Sequence, residues 1–303
     1  DALLLALRTG TVLCLILALA GPRSEVEETA SGRGPQAEVI LLDASMSMGF
    51  RDGNGMRAWD AALAEAAQRL SGRRESQGDQ AVLVRAGHKN IRLVSGAPRV
   101  ALQILEEAGD PDSTPCEMGD ALFLAGREAE TIARPGLPVR ITILTDLQRA
   151  TWDFQGKELE ALRQLRESFP LVDVVNVGAP SRPNLAIVHL GTAPVSPAPG
   201  EPVETRTRVK NFGDSPRTAH LEMTLDGTPL ARWNRVLDPG EEATWRQIVI
   251  PAGTGSRKIE ARLQPDGLRA DDSRGAVIVV RETPSVILVG EASLPGERRR
   301  AFE

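Results

Sequence analysis

Hydrophobic and polar positions follow two different patterns along the chain. In the first half, short apolar runs alternate with segments whose apolar residues recur every three or four positions. Short runs rich in Val and Ile are typical of buried strands, and the 3.6-residue period is typical of amphipathic helices. We predict strands at residues 38–43, 81–84, 91–94, 139–146 and 171–177. We predict helices between them at residues 55–70, 100–108, 118–133 and 157–168.

Strands that alternate with helices imply βαβ units. We therefore expect the fold class of residues 37–180 to be α/β, with a doubly wound, mostly parallel sheet. From residue 184 to 281 the helical period is absent, and short alternating runs are separated by turn sequences such as Asp226-Gly227. Several short strands without helices predict an all-β antiparallel sandwich.

The first residues carry a third pattern, an almost continuous apolar run over residues 2–20. Its length allows a membrane helix, its Ala18-Leu19-Ala20 end allows a signal peptide, and its short clean core allows a buried helix. Arg8 lies within the run, and three glutamates follow between residues 25 and 28. The positive-inside tendency then places the bulk of the chain in the periplasm or the extracellular space.

These patterns divide the chain into five segments. We expect a transmembrane helix at 1–21, a polar linker at 22–36, an α/β domain at 37–180, a β-sandwich at 184–281, and the start of a truncated further α/β domain at 284–303.

The length and amino-acid composition of the chain argue against several classes of function. A length of 303 residues suggests two domains, at roughly 150 residues per domain. The net charge of −5 and the aromatic content of 3% argue against a nucleic-acid partner. Two cysteines and three scattered histidines build no zinc site, and the usual phosphate-binding and serine-hydrolase motifs are absent. We therefore expect a protein that is not an enzyme.

The candidate chemistry lies in the sequence Asp43-Ala44-Ser45-Met46-Ser47, directly after the first predicted strand. Asp146 ends another predicted strand, and open α/β sheets bind ligands at the carboxyl ends of their strands. Carboxylates and hydroxyls are hard oxygen ligands that suit Mg²⁺ or Mn²⁺. A purely structural alternative is that Asp43 and Ser45 cap the following helix.

The segment VILLDASMSM resembles the metal-ion-dependent adhesion site (MIDAS) of a von Willebrand factor A domain. That site combines D-x-S-x-S after the first strand with a Thr in a later loop and an Asp after a later strand. The resemblance covers residues 37–180 and implies that Asp43, Ser45, Ser47 and Asp146 hold a divalent cation.

The Thr of this pattern is missing. The usual T-D-L-G-x-A-L segment aligns with CEMGDAL, so that Cys116 stands where the family has Thr. A thiol is a poor ligand for Mg²⁺. Thr114 lies two residues earlier and is the substitute ligand that we predict, in a site whose affinity for Mg²⁺ or Mn²⁺ is weakened or lost.

The flanking sequences resemble a narrower group of bacterial proteins. LLLALRTGTVLCLILALAGP is similar to the last membrane helix of the N-terminal region of BatA-type aerotolerance regulators, and LTDLQRATW is similar to their Asp-Leu-Gln segment. VKNFGDSP and LRADDSRGAVIVV resemble a CARDB-type immunoglobulin-like adhesion module. SVILVG resembles the opening strand of the glutamine-amidotransferase-like domain of longer relatives.

This resemblance implies a membrane-anchored protein-binding, adhesion or scaffold module outside the cytoplasm. Its partner would be a protein that offers an acidic side chain to the cation, and its N-terminal helix would hold it in the membrane. Three alternatives stay open: a non-catalytic part of a larger enzyme, a phosphoryl-transfer protein that uses Asp43, and a structural module with a vestigial metal site. Asp271 and Asp272 are expected to form a solvated turn.

Overall fold

The computed structural model of the chain describes residues 34–149, 151–152, 156–180 and 182–282. The first part contains five strands: β1 (Ala37–Asp43), β2 (Gln80–Ala86), β3 (Ile91–Gly96), β4 (Val139–Thr145) and β5 (Leu171–Asn176). Its helices are α1 (Ala58–Ser71), α2 (Pro98–Glu106), α3 (Met118–Ile132) and α4 (Lys157–Ser168), and a 3₁₀ turn at Met46–Gly49 follows β1.

The five strands form one sheet in the order β3-β2-β1-β4-β5. The β1–β2, β1–β4 and β4–β5 pairs are parallel, and β2–β3 is antiparallel. Every residue of the central strand β1 is buried, because helices cover both faces of the sheet. Val39 packs in the core on one face with Met118 of α3, and Ile40 packs in the core on the other face with Trp59 of α1.

The second part is built from strands alone. They are β6 (Leu185–Ala193), β7 (Val203–Asn211), β8 (Arg217–Leu225), β9 (Thr228–Leu237), β10 (Glu242–Val249), β11 (Gly255–Leu263) and β12 (Ser273–Val280). One sheet has the order β10-β7-β6 and the other β12-β11-β8-β9, and all their neighbouring strands are antiparallel. Side chains from both sheets, among them Val209, Leu221 and Trp245, share one core.

The predicted α/β fold class with a membrane helix is wrong for the chain. Strand residues make up 41% and helix residues 23% of the described structure, which is mostly β and rich in antiparallel strands. The prediction named an α/β class for the first part and an immunoglobulin-like sandwich for the second, and the antiparallel strands of the second part make the described structure mostly β. No helix in the described ranges is long and apolar enough to span a bilayer. The helix predicted at residues 1–21 lies outside those ranges.

The loop between β11 and β12 contacts the segment that follows β1. The main-chain N–H of Arg51 donates a hydrogen bond to the carbonyl of Gly267 at 2.8 Å. A Cβ atom at position 267 would lie 2.5 Å from the ring of Phe50, so this close approach requires glycine. The boundaries predicted for the domains stay predictions, and the segment 284–303 lies outside the described residues.

Candidate cation site at the carboxyl ends of the parallel strands

Two carboxylates come together because two neighbouring strands end at the same edge of the sheet. β1 ends at Asp43, and Asp146 directly follows β4, its parallel neighbour. Both residues are buried, with 0% and 2% of their surfaces exposed. Two carboxylates at one buried edge create a strongly negative centre, which requires compensation by hydrogen bonds or a cation.

The loop after β1 turns the two serines toward the same point. The main-chain N–H of Ser45 donates to Asp43 Oδ1 at 2.9 Å, and this bond closes the loop. The Oγ atoms of Ser45 and Ser47 lie 3.2 Å apart, and the Ser47 hydroxyl is close enough to the Asp146 carboxylate to lower its pKa. The structure therefore brings together Asp43, Ser45, Ser47 and Asp146, as the motif implies.

Thr145 positions the first carboxylate, and the sequence analysis missed it. Its hydroxyl donates to Asp43 Oδ2 at 2.6 Å and accepts hydrogen bonds from Trp152 Nε1 at 2.9 Å and from the Leu147 N–H at 3.2 Å. Leu147 has a φ of 54°, a left-handed conformation that is unusual for a branched side chain. The only sequence signal for this role is a Thr beside the Asp at a strand end.

The role of Thr145 leads to a stability prediction. We expect Thr145→Val to lower the free energy of unfolding by about 1–3 kcal/mol, because the buried Asp43 and Trp152 each lose a hydrogen-bond partner. Urea unfolding followed by Trp fluorescence measures the change. Thr145→Ser keeps the hydroxyl and is the matched control. A Val variant as stable as the Ser variant would show that the hydrogen bonds of the Thr145 hydroxyl do not contribute to the free energy of unfolding.

Cys116, not the side chain of Thr114, lies beside the first carboxylate. Its Sγ donates to Asp43 Oδ1 at 3.6 Å. Burial raises the pKa of the Cys116 thiol, and the charge of Asp43 raises it further. The group is therefore a neutral thiol at neutral pH. The side chain of Thr114 is exposed. Its main-chain carbonyl accepts a hydrogen bond from the Met46 N–H at 3.1 Å.

Arg182 occupies the other side of the site. This residue precedes β6, and its Nη1 lies 3.0 Å from Asp146 Oδ2 while its Nη2 donates to the Asp146 carbonyl at 2.7 Å. Burial and the charge of Asp43 raise the pKa of Asp146, and the Arg182 guanidinium and the Ser47 hydroxyl act in the opposite direction. Sequence reasoning had no signal for Arg182, because it lies 36 residues from Asp146 in a loop.

The second oxygen of Asp146 is the unusual feature of the site. Asp146 Oδ1 is buried and has no hydrogen-bond partner in the part of the chain that the structure describes. A cavity of about 280 Å³ adjoins the site and is lined by Ser47, Arg182, Phe212 and Leu268 among others. The site therefore faces the β-sandwich and combines an unsatisfied buried acceptor with a nearby space.

No protein-family model and no curated protein matches the chain. Among solved structures it is similar to the conserved hypothetical protein BatB from Bacteroides thetaiotaomicron, with 22% identity over 49% of this chain and 70% of that chain and a TM-score of 0.41. It is also similar to a CARDB domain from Pyrococcus furiosus that was crystallised with di-metal ions, with 19% identity over 33% of this chain and 96% of that chain and a TM-score of 0.31.

A third similar structure is a domain of a proposed cell surface protein from Methanosarcina acetivorans, with 16% identity over 33% of this chain and 94% of that chain and a TM-score of 0.29. CARDB domains and BatB are therefore among the structures that this chain is similar to. Likenesses of this size carry no argument about function, which has to be argued from the site itself.

Proposed function

We propose that the chain is a protein-binding module of the BatA type, acting outside the cytoplasm, that captures an acidic side chain of its partner through a divalent cation. Asp43, Ser45, Ser47 and Asp146 would hold Mg²⁺ or Mn²⁺ as in a von Willebrand factor A domain. When bound, the cation would act as the Lewis acid that accepts the partner's carboxylate.

The observation that carries this proposal is the buried, unpartnered Oδ1 of Asp146, in a carboxylate whose pKa the nearby Ser47 hydroxyl lowers. A buried carboxylate oxygen without a donor is costly, and a cation would satisfy it. The metal ligands would be two carboxylates and two hydroxyls, and this set of hard oxygens fits Mg²⁺ or Mn²⁺. The neutral thiol of Cys116 adds no ligand to the set.

The same geometry disfavours a phosphoryl-transfer role for Asp43. A nucleophilic carboxylate must present an oxygen to the substrate. Asp43 is 0% exposed, and its two oxygens accept hydrogen bonds from Ser45, Cys116 and Thr145. Asp43 is therefore buried away from a substrate that approaches from solvent.

The second candidate function is a structural module without a metal. The ion pair between Arg182 and Asp146 favours it, because a guanidinium already compensates part of the negative charge. The thiol at Cys116 favours it as well. The two candidates differ in one measurable property, the binding of a divalent cation.

Calorimetric titration with Mn²⁺ tests the proposal on the wild-type chain and on Arg182→Gln. We expect the wild type to bind one Mn²⁺ that Asp43 and Asp146 hold, and the Gln variant to bind it about tenfold more tightly, because the guanidinium no longer competes for Asp146. Arg163→Gln, at an exposed position on α4, is the matched control. Absence of binding in both proteins would establish the structural module instead.

The capture of a carboxylate is tested with acetate as the probe. We expect acetate to replace a water on the bound Mn²⁺ and so to lower the water-proton relaxation rate of the Mn²⁺-loaded protein. Chloride at the same ionic strength is the control. An acetate effect no larger than the chloride effect would contradict the proposed mode of partner binding.

Cys116 offers a further prediction for this site. We expect Cys116→Thr to tighten Mn²⁺ binding by roughly tenfold, because a hydroxyl supplies the hard oxygen that the thiol lacks. Cys116→Val has a similar volume without a ligand atom and is the control. Equal Mn²⁺ affinities of the Thr and Val variants, measured by calorimetry, would show that position 116 does not contact the cation.

A further inference from the structure

The loop between β11 and β12 contains a second group of carboxylates, which is separate from the first site. One oxygen from each of Asp266, Asp271 and Asp272 lies within 4.8 Å of the others. Asp271 and Asp272 are 9% and 6% exposed, so the expected solvated turn is wrong for both of them. The start of β6 contacts Asp271, whose carbonyl accepts from the Ile187 N–H and whose side chain accepts from Asn184.

The hydrogen bonds of this cluster leave it incompletely satisfied. The two Asp266 oxygens accept from the N–H groups of Leu185 and Leu268, and Asp271 Oδ2 accepts from the Asn184 side chain at 2.9 Å. Asp272 Oδ2 accepts from the Asp266 N–H at 3.1 Å. The Oδ1 atoms of Asp271 and Asp272 are buried without a hydrogen-bond partner among the described residues.

The charges of the cluster are also incompletely balanced. Arg217 Nη1 lies 3.8 Å from Asp266 Oδ2, beyond hydrogen-bond distance, and the exposed Arg269 acts on Asp272 from the same loop. Burial and the charges of the neighbouring carboxylates raise the pKa of Asp271 to about 7. Burial and the charge of Asp266 raise the pKa of Asp272 to about 6. The folded protein therefore holds three carboxyl groups close together where water solvates them poorly, which disfavours their charged forms.

We propose that Asp266, Asp271 and Asp272 form a Ca²⁺ site, with the unpartnered Oδ1 atoms of Asp271 and Asp272 among its ligands. Ca²⁺ binds oxygens at about 2.3–2.6 Å, so ligands on opposite sides of the ion lie about 4.6–5.2 Å apart. One oxygen from each carboxylate lies within 4.8 Å of the others, so a single ion of this size can contact all three. Three carboxylates on one loop suit Ca²⁺, which takes about six to eight oxygen ligands in flexible geometry, whereas Mg²⁺ usually takes one or two carboxylates and keeps several waters.

The position of the cluster indicates what the Ca²⁺ ion does. Gly267 lies within the same loop as the carboxylates, and its carbonyl accepts a hydrogen bond from the N–H of Arg51 after β1. An ion that ties Asp266 to Asp271 and Asp272 closes this loop in the conformation that makes those contacts. The ion therefore fastens the β-sandwich to the segment that carries the first site.

Calorimetry with CaCl₂ on the metal-free chain tests this proposal. We expect one Ca²⁺ to bind, and saturation to raise the Tm by about 5 °C. In the double variant Asp271→Asn/Asp272→Asn we expect the Ca²⁺ affinity to fall at least tenfold and the Tm increase to vanish. Asp214→Asn, an exposed position in the same part of the chain, is the matched control.

Further outcomes keep the two metal proposals separable. Asp43→Asn must leave this Ca²⁺ binding unchanged, so a failure of the first site leaves this one standing. If the double variant does not fold, amide hydrogen exchange of the wild type tests the proposal instead. Ca²⁺ must then slow the exchange of residues 264–272. No Ca²⁺ binding by the wild type, binding that survives the double substitution, or exchange that Ca²⁺ leaves unchanged would each overturn the proposal.

Discussion

In an Asp43→Asn variant we expect Mn²⁺ affinity to fall by roughly 100-fold or more, the largest effect of any single substitution at the first site. Asn keeps the size of the side chain and can still accept the hydrogen bond from the Ser45 N–H. It removes the negative charge that attracts the cation. Calorimetric titration with Mn²⁺ measures the change, and the acetate effect on water relaxation should disappear with it.

The control for this substitution must show that the protein still folds. Asp120→Asn removes an exposed carboxylate from α3 and should leave Mn²⁺ binding as in the wild type. Circular dichroism and urea unfolding should give a folded protein for both variants. An Asp43→Asn chain that fails to fold would identify Asp43 as a structural residue of its loop, and a folded chain that binds Mn²⁺ normally would exclude Asp43 as a ligand.

The second large effect is a dependence of stability on pH that comes from Asp271. Its folded-state pKa of about 7 lies above the ordinary Asp value, so the folded chain holds this proton more tightly than the unfolded chain does. The contribution of Asp271 to stability is therefore fully present below about pH 4 and is lost as the pH rises toward 7. The groups that face it are Asn184, Asp266 and Asp272.

Asp271→Asn isolates this contribution, because the variant side chain is neutral at every pH. In EDTA, we expect the variant to be more stable than the wild type at pH 8 by at least about 1 kcal/mol, and the two proteins to approach each other at pH 5. Thermal unfolding at both pH values measures the difference. A difference in Tm that stays constant between the two pH values would contradict a raised pKa at this position.

The order of elements in the first part could be read from the sequence. Strand β1 is a continuous apolar run because it lies in the middle of a sheet that is covered on both faces. Helix α3 could be read from its 3.6-residue period, which follows from one face being buried. These signals are local to each element.

Two edge strands of the sandwich cannot be read in full from the sequence. β9 is mostly exposed and shows no alternation of buried and exposed positions, because it lies at the edge of its sheet. β6 is also an edge strand, and it runs directly into the proline-rich segment 194–202, which obscures its end. A strand that buries only part of one face does not need an apolar pattern.

The sequence by itself determined the first half of the candidate site. Asp43, Ser45 and Ser47 lie within five consecutive residues, and their positions follow from the strand before them and the tight loop that they form. Asp146 could be added because it ends another predicted strand, and open α/β sheets bind ligands at the carboxyl ends of their strands. Local structure and this general rule were sufficient for these residues.

Only the tertiary structure decided what surrounds this site and where the second one lies. Arg182 contacts Asp146 across 36 residues of chain, and Cys116 contacts Asp43 across 73. Asp271 is buried, and its side chain accepts a hydrogen bond from Asn184, 87 residues earlier in the chain. The burial of a carboxylate depends on which distant segments cover it, and no local pattern of polar and apolar residues records that.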